Sequence, residues 1–117
     1  MTELRLNAYH IMWLFVFFDL PVMTVKERRA AMLFRKNLEK DGFSMMQYSV
    51  YIRHCGSHES LDVHFRRVKG LLPEEGNVSV LAVTDKQYSN IYNFTNVTKK
   101  KGKKNIIRKE PVQLELF

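Results

Sequence analysis

Asp19 is the residue whose type and position most clearly suggest chemistry. It directly follows a continuously apolar run from Ile11 to Phe18, and Pro21 comes two positions later. A carboxylate at the end of a buried strand can bind a hard cation such as Mg²⁺. Position alone favours a simpler role, in which Asp19 accepts hydrogen bonds from turn amides before the proline. One carboxylate is too few for a metal cage, so a metal site would need two copies of Asp19 across a dimer axis, with water completing the shell.

Cys55 and three nearby histidines, His54, His58 and His64, form the other group with chemical potential. Their spacing matches no zinc-binding pattern, and we expect His64 to face solvent from a helix. No histidine can be paired with Cys55 as a base. We therefore predict neither a metal site nor a nucleophilic cysteine in this segment.

Basic residues outnumber acidic ones, 19 Lys+Arg against 12 Asp+Glu, which gives a formal net charge of +7. An excess of this size indicates a polyanionic partner, either nucleic acid or an anionic membrane surface. The apolar run ending at Phe18 is far shorter than the roughly 20 residues that cross a bilayer, and it lacks a signal-peptide cleavage site. Nucleic acid is therefore favoured over a membrane, and the single cysteine fits a cytoplasmic protein.

The basic residues fall into two groups. One lies on the outer face of the first predicted helix, where Lys36 and Lys40 are expected to be ordinary solvated residues. The other is a dense run beginning at Lys99, for which phosphate contact is as plausible as a solvated loop. The candidate contacts to nucleic acid are Arg28, Arg29, Lys99, Lys100, Lys101, Lys103 and Lys104.

The elements that would position Asp19 follow from hydrophobic periodicity. The run ending at Phe18 predicts a central strand. A capping box from Thr24 to Glu27 predicts the start of a helix, and Gly42 suits the left-handed position after its end. Its expected buried residues are Ala30, Ala31, Phe34 and Leu38.

The rest of the chain predicts further strands and one more helix. Alternation from Phe43 to Arg53 fits either one long strand or a tight hairpin. Next come an amphipathic helix that ends at Pro73 and an apolar strand from 77 to 84. We expect the helix to bury Leu61, Phe65, Val68 and Leu72. Short strands are predicted at 91–94 and 112–117, with a basic loop between them.

Right-handed crossovers place both helices on one face of a single sheet. Met45 and Tyr51 would then lie on the other face, which nothing in the chain is left to cover. Dimerisation through that apolar face is the simplest solution. We expect a lead-in at 1–10, a core domain at 11–94, and a basic loop with a terminal strand at 95–117.

Several segments, taken in order and spacing, resemble the CRISPR-associated Cas-two family in the form found with type II systems. The match covers roughly Ile11 to Phe94 and the terminal strand. The segments are Val16 to Val22, then Arg35-Lys36 with Leu38, Gly42 to Arg53, Leu72-Pro73, Gly76 to Val78, and Thr84 to Gln87.

The resemblance implies an α+β, ferredoxin-like βαββαβ sandwich with a C-terminal strand extension. The protein would be a homodimer whose late strands pair with the partner's sheet. It would bind duplex DNA and bridge two dimers of the CRISPR integrase, Cas-one, during spacer acquisition. Family members are Mg²⁺-dependent endonucleases of RNA or DNA, with Asp19 at the metal-ligand position. Arg53 lies in the family's second motif, which implies a structural role and a contact to the nucleic-acid backbone, so Arg53 is also a candidate nucleic-acid contact.

Three functions remain open at this point. The first is a DNA-binding scaffold, which the many basic residues favour. The second is a nuclease in which paired Asp19 carboxylates hold Mg²⁺ and activate water. The third is a ribonuclease toxin on the same fold, acting without an integrase partner.

Overall fold

The computed structural model describes residues 11–95 and the backbone of residues 106–109. Residues 11–84 belong to one compact unit, and the described residues from Asp85 onward belong to a second. The first unit consists of β1 (Met12–Asp19), α1 (Val25–Lys40), β2 (Ser44–Gln47), β3 (Val50–Cys55), α2 (His58–Leu71) and β4 (Asn77–Thr84). Its strands form an antiparallel sheet in the order β2-β3-β1-β4. This is the predicted α+β, ferredoxin-like arrangement.

The core lies between the sheet and the two long helices. Alternate residues of β1, from Met12 to Phe18, belong to the buried cluster together with Phe34 and Leu38 of α1 and Val68 of α2. The predicted burial of Ala31, Phe34 and Leu38 is confirmed. Ala30 is exposed, contrary to prediction. The other three define the centre of the buried stripe, and Ala30 lies at its margin because each residue turns the helix by about 100°.

The ends of α1 form as the sequence predicts. Thr24 accepts a hydrogen bond from the Glu27 amide at 3.0 Å, and the Glu27 carboxylate accepts one from the Thr24 amide at 3.0 Å. Gly42 follows the helix with φ +92°, and a Cβ atom there would lie 3.0 Å from Nε of Arg53. Both features are local in sequence, which is why they could be predicted.

The segment from Phe43 to Arg53 is a hairpin. Tyr48 and Ser49 form its turn, and Ser49 adopts φ +67°. Tyr51 pairs with Val16 and is buried in the core. The prediction that Met45 and Tyr51 lie on the uncovered face is therefore wrong. Tyr51 is on the helix-covered face, and Met45 pairs directly with Tyr51 and so points to the same face.

The second helix also differs from prediction. The residues buried on α2 are His64 and Val68, whereas Phe65 and Leu72 are exposed. The predicted burial of Val68 is confirmed, and Leu61 packs against the core as expected. His64 and Leu71 take the places predicted for Phe65 and Leu72. His64 can occupy a buried position because its ring is hydrogen-bonded to Asp41, 23 residues earlier in the chain.

The second unit consists of a short helix, α3 (Asp85–Tyr88), and two antiparallel strands, β5 (Tyr92–Thr95) and β6 (Ile106–Lys109). The short strand predicted at 91–94 is confirmed as β5, whereas β6 was not predicted. The lead-in at 1–10, the lysines from 99 to 104 and the strand predicted at 112–117 lie outside the described residues. Within the described part of the chain, no helix is long and apolar enough to cross a membrane.

Candidate functional site at Asp19

Asp19 is the last residue of β1 and is paired with Asn77 at the start of β4. It is exposed, and strand alternation puts it on the same sheet face as Phe17, opposite the helices. Gly76 makes this close junction possible. It has φ +106°, and a Cβ atom there would lie 2.9 Å from the Asp19 carbonyl oxygen. A glycine is therefore required directly beside the candidate site.

Asp19 borders a shallow cleft of about 340 Å³ at the end of the sheet. The β2–β3 turn forms another wall, which is held in place because the Phe18 amide donates to the Ser49 carbonyl at 3.1 Å. The polar side chains that line the cleft are Asp19, Tyr48, Ser49, Asn77 and Ser79. All are oxygen donors, which is the donor type that Mg²⁺ prefers.

The cleft contains one carboxylate. Across the described residues, no three His, Cys, Asp or Glu side chains gather closely enough to hold a metal ion. The oxygen chemistry at Asp19 thus fits Mg²⁺, but one subunit supplies a single charged ligand. Water or a second Asp19 would have to complete the coordination shell.

The sheet face that carries Asp19 is strongly apolar. Phe15 lies between Ile52 of β3 and Leu81 of β4 in the strand register. Its ring stacks on that of Phe17 at a centroid distance of 5.9 Å. Phe17 is 37% exposed and Leu81 48% exposed. The face is apolar as expected, but it is not wholly uncovered, because Phe15 and Ile52 are buried within the chain. Tyr51, and Met45 which pairs directly with it, lie on the other face.

The predicted arginines lie elsewhere in the first unit. Arg28 donates through Nη1 to the carbonyls of Val22 and Met23, at 3.0 and 3.2 Å. Arg53 donates through Nε to the Asp41 carbonyl at 2.8 Å and through Nη1 to the His54 carbonyl at 2.6 Å. Both side chains hold loops in place, which for Arg53 agrees with the implied structural role.

The remaining basic candidates do not meet at Asp19 either. Arg29 is exposed on α1, and the lysine run from 99 to 104 lies outside the described residues. Among residues 11–95, no arginine or lysine lines the Asp19 cleft. Their roles in binding nucleic acid remain predictions.

Arg35 has a specific contact that the sequence interpretation missed. Its Nη2 atom donates to the Tyr48 hydroxyl at 2.8 Å. The guanidinium carbon lies 4.7 Å from the centroid of the Tyr48 ring and 5.7 Å from that of Phe18. The two partners are 13 residues apart, so only recognition of the hairpin turn could have suggested the pair.

Asp41, immediately after α1, forms the main electrostatic cluster away from the cleft. Its Oδ2 atom lies 2.8 Å from Nδ1 of His64, and its Oδ1 atom lies 2.7 Å from Nη1 of Arg67. Burial alone would raise the pKa of Asp41, but the hydrogen bonds from His64 and Arg67 outweigh burial and lower it. The prediction that His64 faces solvent is wrong, since its ring is buried against this carboxylate.

Cys55 is fully buried in the core. Burial raises the pKa of its thiol, although the nearby Arg53 charge and a hydrogen bond with Ser60 act in the opposite direction. A buried thiol with a raised pKa is a poor nucleophile. The geometry gives Cys55 a packing role.

A larger groove of about 370 Å³ lies between the start of α1 and the end of α2. Its walls are mostly apolar, with charges from Lys26, Glu27, Glu74 and Glu75. The Glu27 carboxylate is already used in the α1 capping box. The groove lies on the helical side of the sheet, so the Asp19 cleft is the better candidate for chemistry.

The fold and site define a class: a ferredoxin-like α+β domain with one carboxylate at the end of β1, on an apolar sheet face. Residues 12–91 match the family model described as "CRISPR associated protein Cas2". The chain is 48% identical to the "CRISPR-associated endoribonuclease Cas2" of Flavobacterium psychrophilum, over 97% of this chain and 94% of the relative. It is 43% identical to the protein of the same name from Parvibaculum lavamentivorans, over 91% of this chain and 100% of the relative.

The matches to these two relatives span nearly the full length of this chain and of each relative. The chain therefore belongs to the Cas2 family of CRISPR-associated proteins, as the sequence resemblance predicted.

Proposed function

We propose that this chain is a Mg²⁺-dependent nuclease of the Cas2 family that cleaves RNA at Asp19. The observation that carries the proposal is the position of Asp19, exposed at the end of β1 and bordering a cleft lined by oxygen donors. The names of the relatives, which call them endoribonucleases, support RNA as the substrate.

The chain's own residues would hold the metal and shape the site. Asp19 would supply the anionic ligand, and Asn77 and the serine hydroxyls of the cleft would bind water or substrate oxygens. Bound Mg²⁺ would lower the pKa of a coordinated water and offset the charge that develops on the phosphodiester. Gly76 holds the two strands close together, which fixes the Asp19 backbone.

We propose further that the active form is a homodimer. Phe17 and Leu81, the partly exposed apolar residues of the Asp19 face, support this, because burying them on two subunits removes apolar surface from water. In the sheet described for the first unit β4 is an outer strand, and an outer strand can pair with a strand of a second copy. Such a dimer would bring two Asp19 carboxylates near one another and complete the metal site.

Dimerisation can be tested by sedimentation velocity on Leu81→Glu, with Met32→Glu as the matched control. Both residues are about half exposed, but Met32 lies on α1. We expect wild type and Met32→Glu to be dimers and Leu81→Glu to dissociate. A dimeric Leu81→Glu variant would refute use of this face.

A second candidate function is a scaffold for spacer acquisition, in which the dimer binds duplex DNA and bridges two dimers of the Cas-one integrase. The net charge of +7 supports it, as does the exposure of Arg29, Lys36 and Lys40 on α1. Basic residues of this kind bind the phosphate backbone without reading its sequence.

Asp19→Ala separates the two functions, with Asp62→Ala on the exposed surface of α2 as its control. RNA cleavage in vitro and spacer acquisition in cells are measured for both variants. Loss of cleavage with intact acquisition shows that both functions exist and are independent. Unchanged cleavage would refute the nuclease proposal, and loss of both would tie acquisition to catalysis.

Two further measurements address the remaining possibilities. Neutralising Lys99, Lys100 and Lys101 should weaken duplex binding and reduce its salt dependence, whereas unchanged binding would show a solvated loop. Growth inhibition that depends on Asp19 but not on the integrase would favour the ribonuclease-toxin function.

A further inference from the structure

Tyr48 lies at the tip of the β2–β3 hairpin and is 74% exposed. It lines the same cleft as Asp19. The turn that presents it is fixed, since Ser49 adopts φ +67° and its carbonyl accepts a hydrogen bond from the Phe18 amide. A large aromatic ring is thus displayed on a defined backbone beside the candidate catalytic carboxylate.

Arg35 holds this ring from one side. It donates to the Tyr48 hydroxyl at 2.8 Å, and its guanidinium carbon lies 4.7 Å from the ring centroid. The Nε atom of Arg35 is buried and makes no hydrogen bond among the described residues. The guanidinium is therefore held by the hydroxyl and by the rings of Tyr48 and Phe18, without a carboxylate partner in the described part of the chain. This arrangement orients Tyr48 and keeps a positive charge beside it.

We propose that Tyr48 is a stacking platform for an unpaired nucleobase of the nucleic acid bound at Asp19, and that Arg35 is its positioning residue. The proposal rests on the proposed function, because it takes the Asp19 cleft as the site that holds a phosphodiester. Exposed aromatic rings next to a positive charge are the usual means of binding single strands. A base inside a duplex is already stacked on both faces, so the ligand class is an unpaired segment.

The platform also accounts for a feature of the cleft. Apart from Asp19, the polar groups that line it are uncharged, so before metal binds the one charge in the cleft is negative and repels a phosphate. Stacking on Tyr48 would anchor the neighbouring nucleotide, and the Arg35 charge would attract its phosphate. Substrate would then be positioned by groups other than the catalytic carboxylate.

The test measures binding without cleavage. Single-stranded RNA with 2-aminopurine at one position is titrated with Asp19→Asn protein, and with the same protein carrying Tyr48→Ala, Tyr48→Phe or Tyr48→Leu. Phe65→Ala is the matched control, because Phe65 is an exposed aromatic with Lys69 at 6.0 Å from its centroid, on another face. Quenching of 2-aminopurine reports stacking, and anisotropy reports affinity.

We expect Tyr48→Ala and Tyr48→Leu to lose the quenching and to bind about 5- to 150-fold more weakly, the range for loss of one stacked base. Tyr48→Phe keeps the ring and should quench, and Phe65→Ala should behave as the parent. If Tyr48→Ala and Tyr48→Leu quench and bind as the Asp19→Asn parent does, the proposal is overturned. So would a monomeric Tyr48→Ala protein in sedimentation, since Tyr48 would then be a subunit contact.

The two proposals can fail separately. Absence of RNA cleavage by the wild type, with quenching that depends on Tyr48, would refute the nuclease function and leave the platform standing. Cleavage that depends on Asp19, with quenching and affinity that do not depend on Tyr48, would support the nuclease function and refute the stacking platform.

Discussion

Replacing Asp41 by alanine removes the carboxylate that joins the end of α1 to α2. Its side chain is 9% exposed and accepts hydrogen bonds from His64 and Arg67 at 2.8 and 2.7 Å. A hydrogen bond to a charged group contributes about 1.5–3 kcal/mol. Arg67 is 59% exposed, so its ion pair adds at most about 1 kcal/mol. The expected loss in free energy of unfolding is therefore about 2–4 kcal/mol, which also reflects a buried His64 ring left without its partner.

The loss is measured by urea denaturation followed by circular dichroism at pH 7. For a domain of this size, each kcal/mol lowers Tm by roughly 4–8 °C, so a loss of about 2–4 kcal/mol should lower the melting temperature by roughly 8–32 °C. Arg67→Ala should cost no more than about 1 kcal/mol. The matched control is Asp62→Ala, an exposed residue of α2 that should change stability by less than about 0.5 kcal/mol.

Two results would refute this reasoning. A loss for Asp41→Ala no larger than that for Asp62→Ala would show that the cluster does not stabilise the fold. A loss for Arg67→Ala equal to that for Asp41→Ala would show that the exposed arginine, and not His64, is the important partner.

Three other predictions concern the Asp41 cluster, the glycine beside Asp19 and the buried core. The pKa of folded Asp41 is below its ordinary 3.8, so the stability that the ionised carboxylate contributes is present above about pH 4 and is lost as the pH falls through the folded pKa. The difference in free energy of unfolding between wild type and Asp41→Asn should therefore shrink in acid, and a constant difference would contradict the prediction. Gly76→Ala should lower the free energy of unfolding by about 1–3 kcal/mol and slow cleavage at Asp19, because the added Cβ would lie 2.9 Å from the Asp19 carbonyl oxygen. The control is Gly70→Ala, where a Cβ meets nothing within 4 Å; it should stabilise α2 by about 0.5–1 kcal/mol. Leu38→Ala, in the fully buried core, should cost about 2–5 kcal/mol in denaturant unfolding, and a loss under about 1 kcal/mol would show that the core relaxes around the gap.

Features fixed by short stretches of sequence could be predicted. The capping box at Thr24, the left-handed Gly42 and the apolar strand before Asp19 each depend on residues within a few positions of one another. For the same reason the order of strands and helices in the first unit was predicted correctly, and the family resemblance added the hairpin that periodicity left open.

Features that depend on partners distant in the chain could not be predicted from the sequence. His64 is polar and is expected on a solvated face, but it is buried because Asp41 supplies a carboxylate from another element. Tyr51 lies on the helix-covered face because it pairs with Val16 across the sheet. Sequence alternation defines two faces of a strand, but strand pairing decides which face meets the helices.

The candidate site was predicted in part. Asp19 was singled out from its place at the end of an apolar strand, and the structure puts it in a cleft bordered by the β2–β3 turn. The pairing of Arg35 with Tyr48 beside that cleft was missed, because it joins α1 to a turn whose existence was undecided. Arg53 and Arg28 were predicted as nucleic-acid contacts, and their guanidinium groups hold backbone carbonyls.

The central claim is that Asp19 supports Mg²⁺-dependent cleavage of RNA. The most direct measurement is the single-turnover rate of RNA cleavage, at saturating protein, across a Mg²⁺ titration of wild type, Asp19→Asn and Asp62→Asn. We predict that the wild-type and Asp62→Asn rates rise together with Mg²⁺ and vanish in EDTA, while Asp19→Asn is slower by about 100-fold or more at every concentration. Cleavage by Asp19→Asn at the wild-type rate, or a wild-type rate unaffected by EDTA, would contradict the claim.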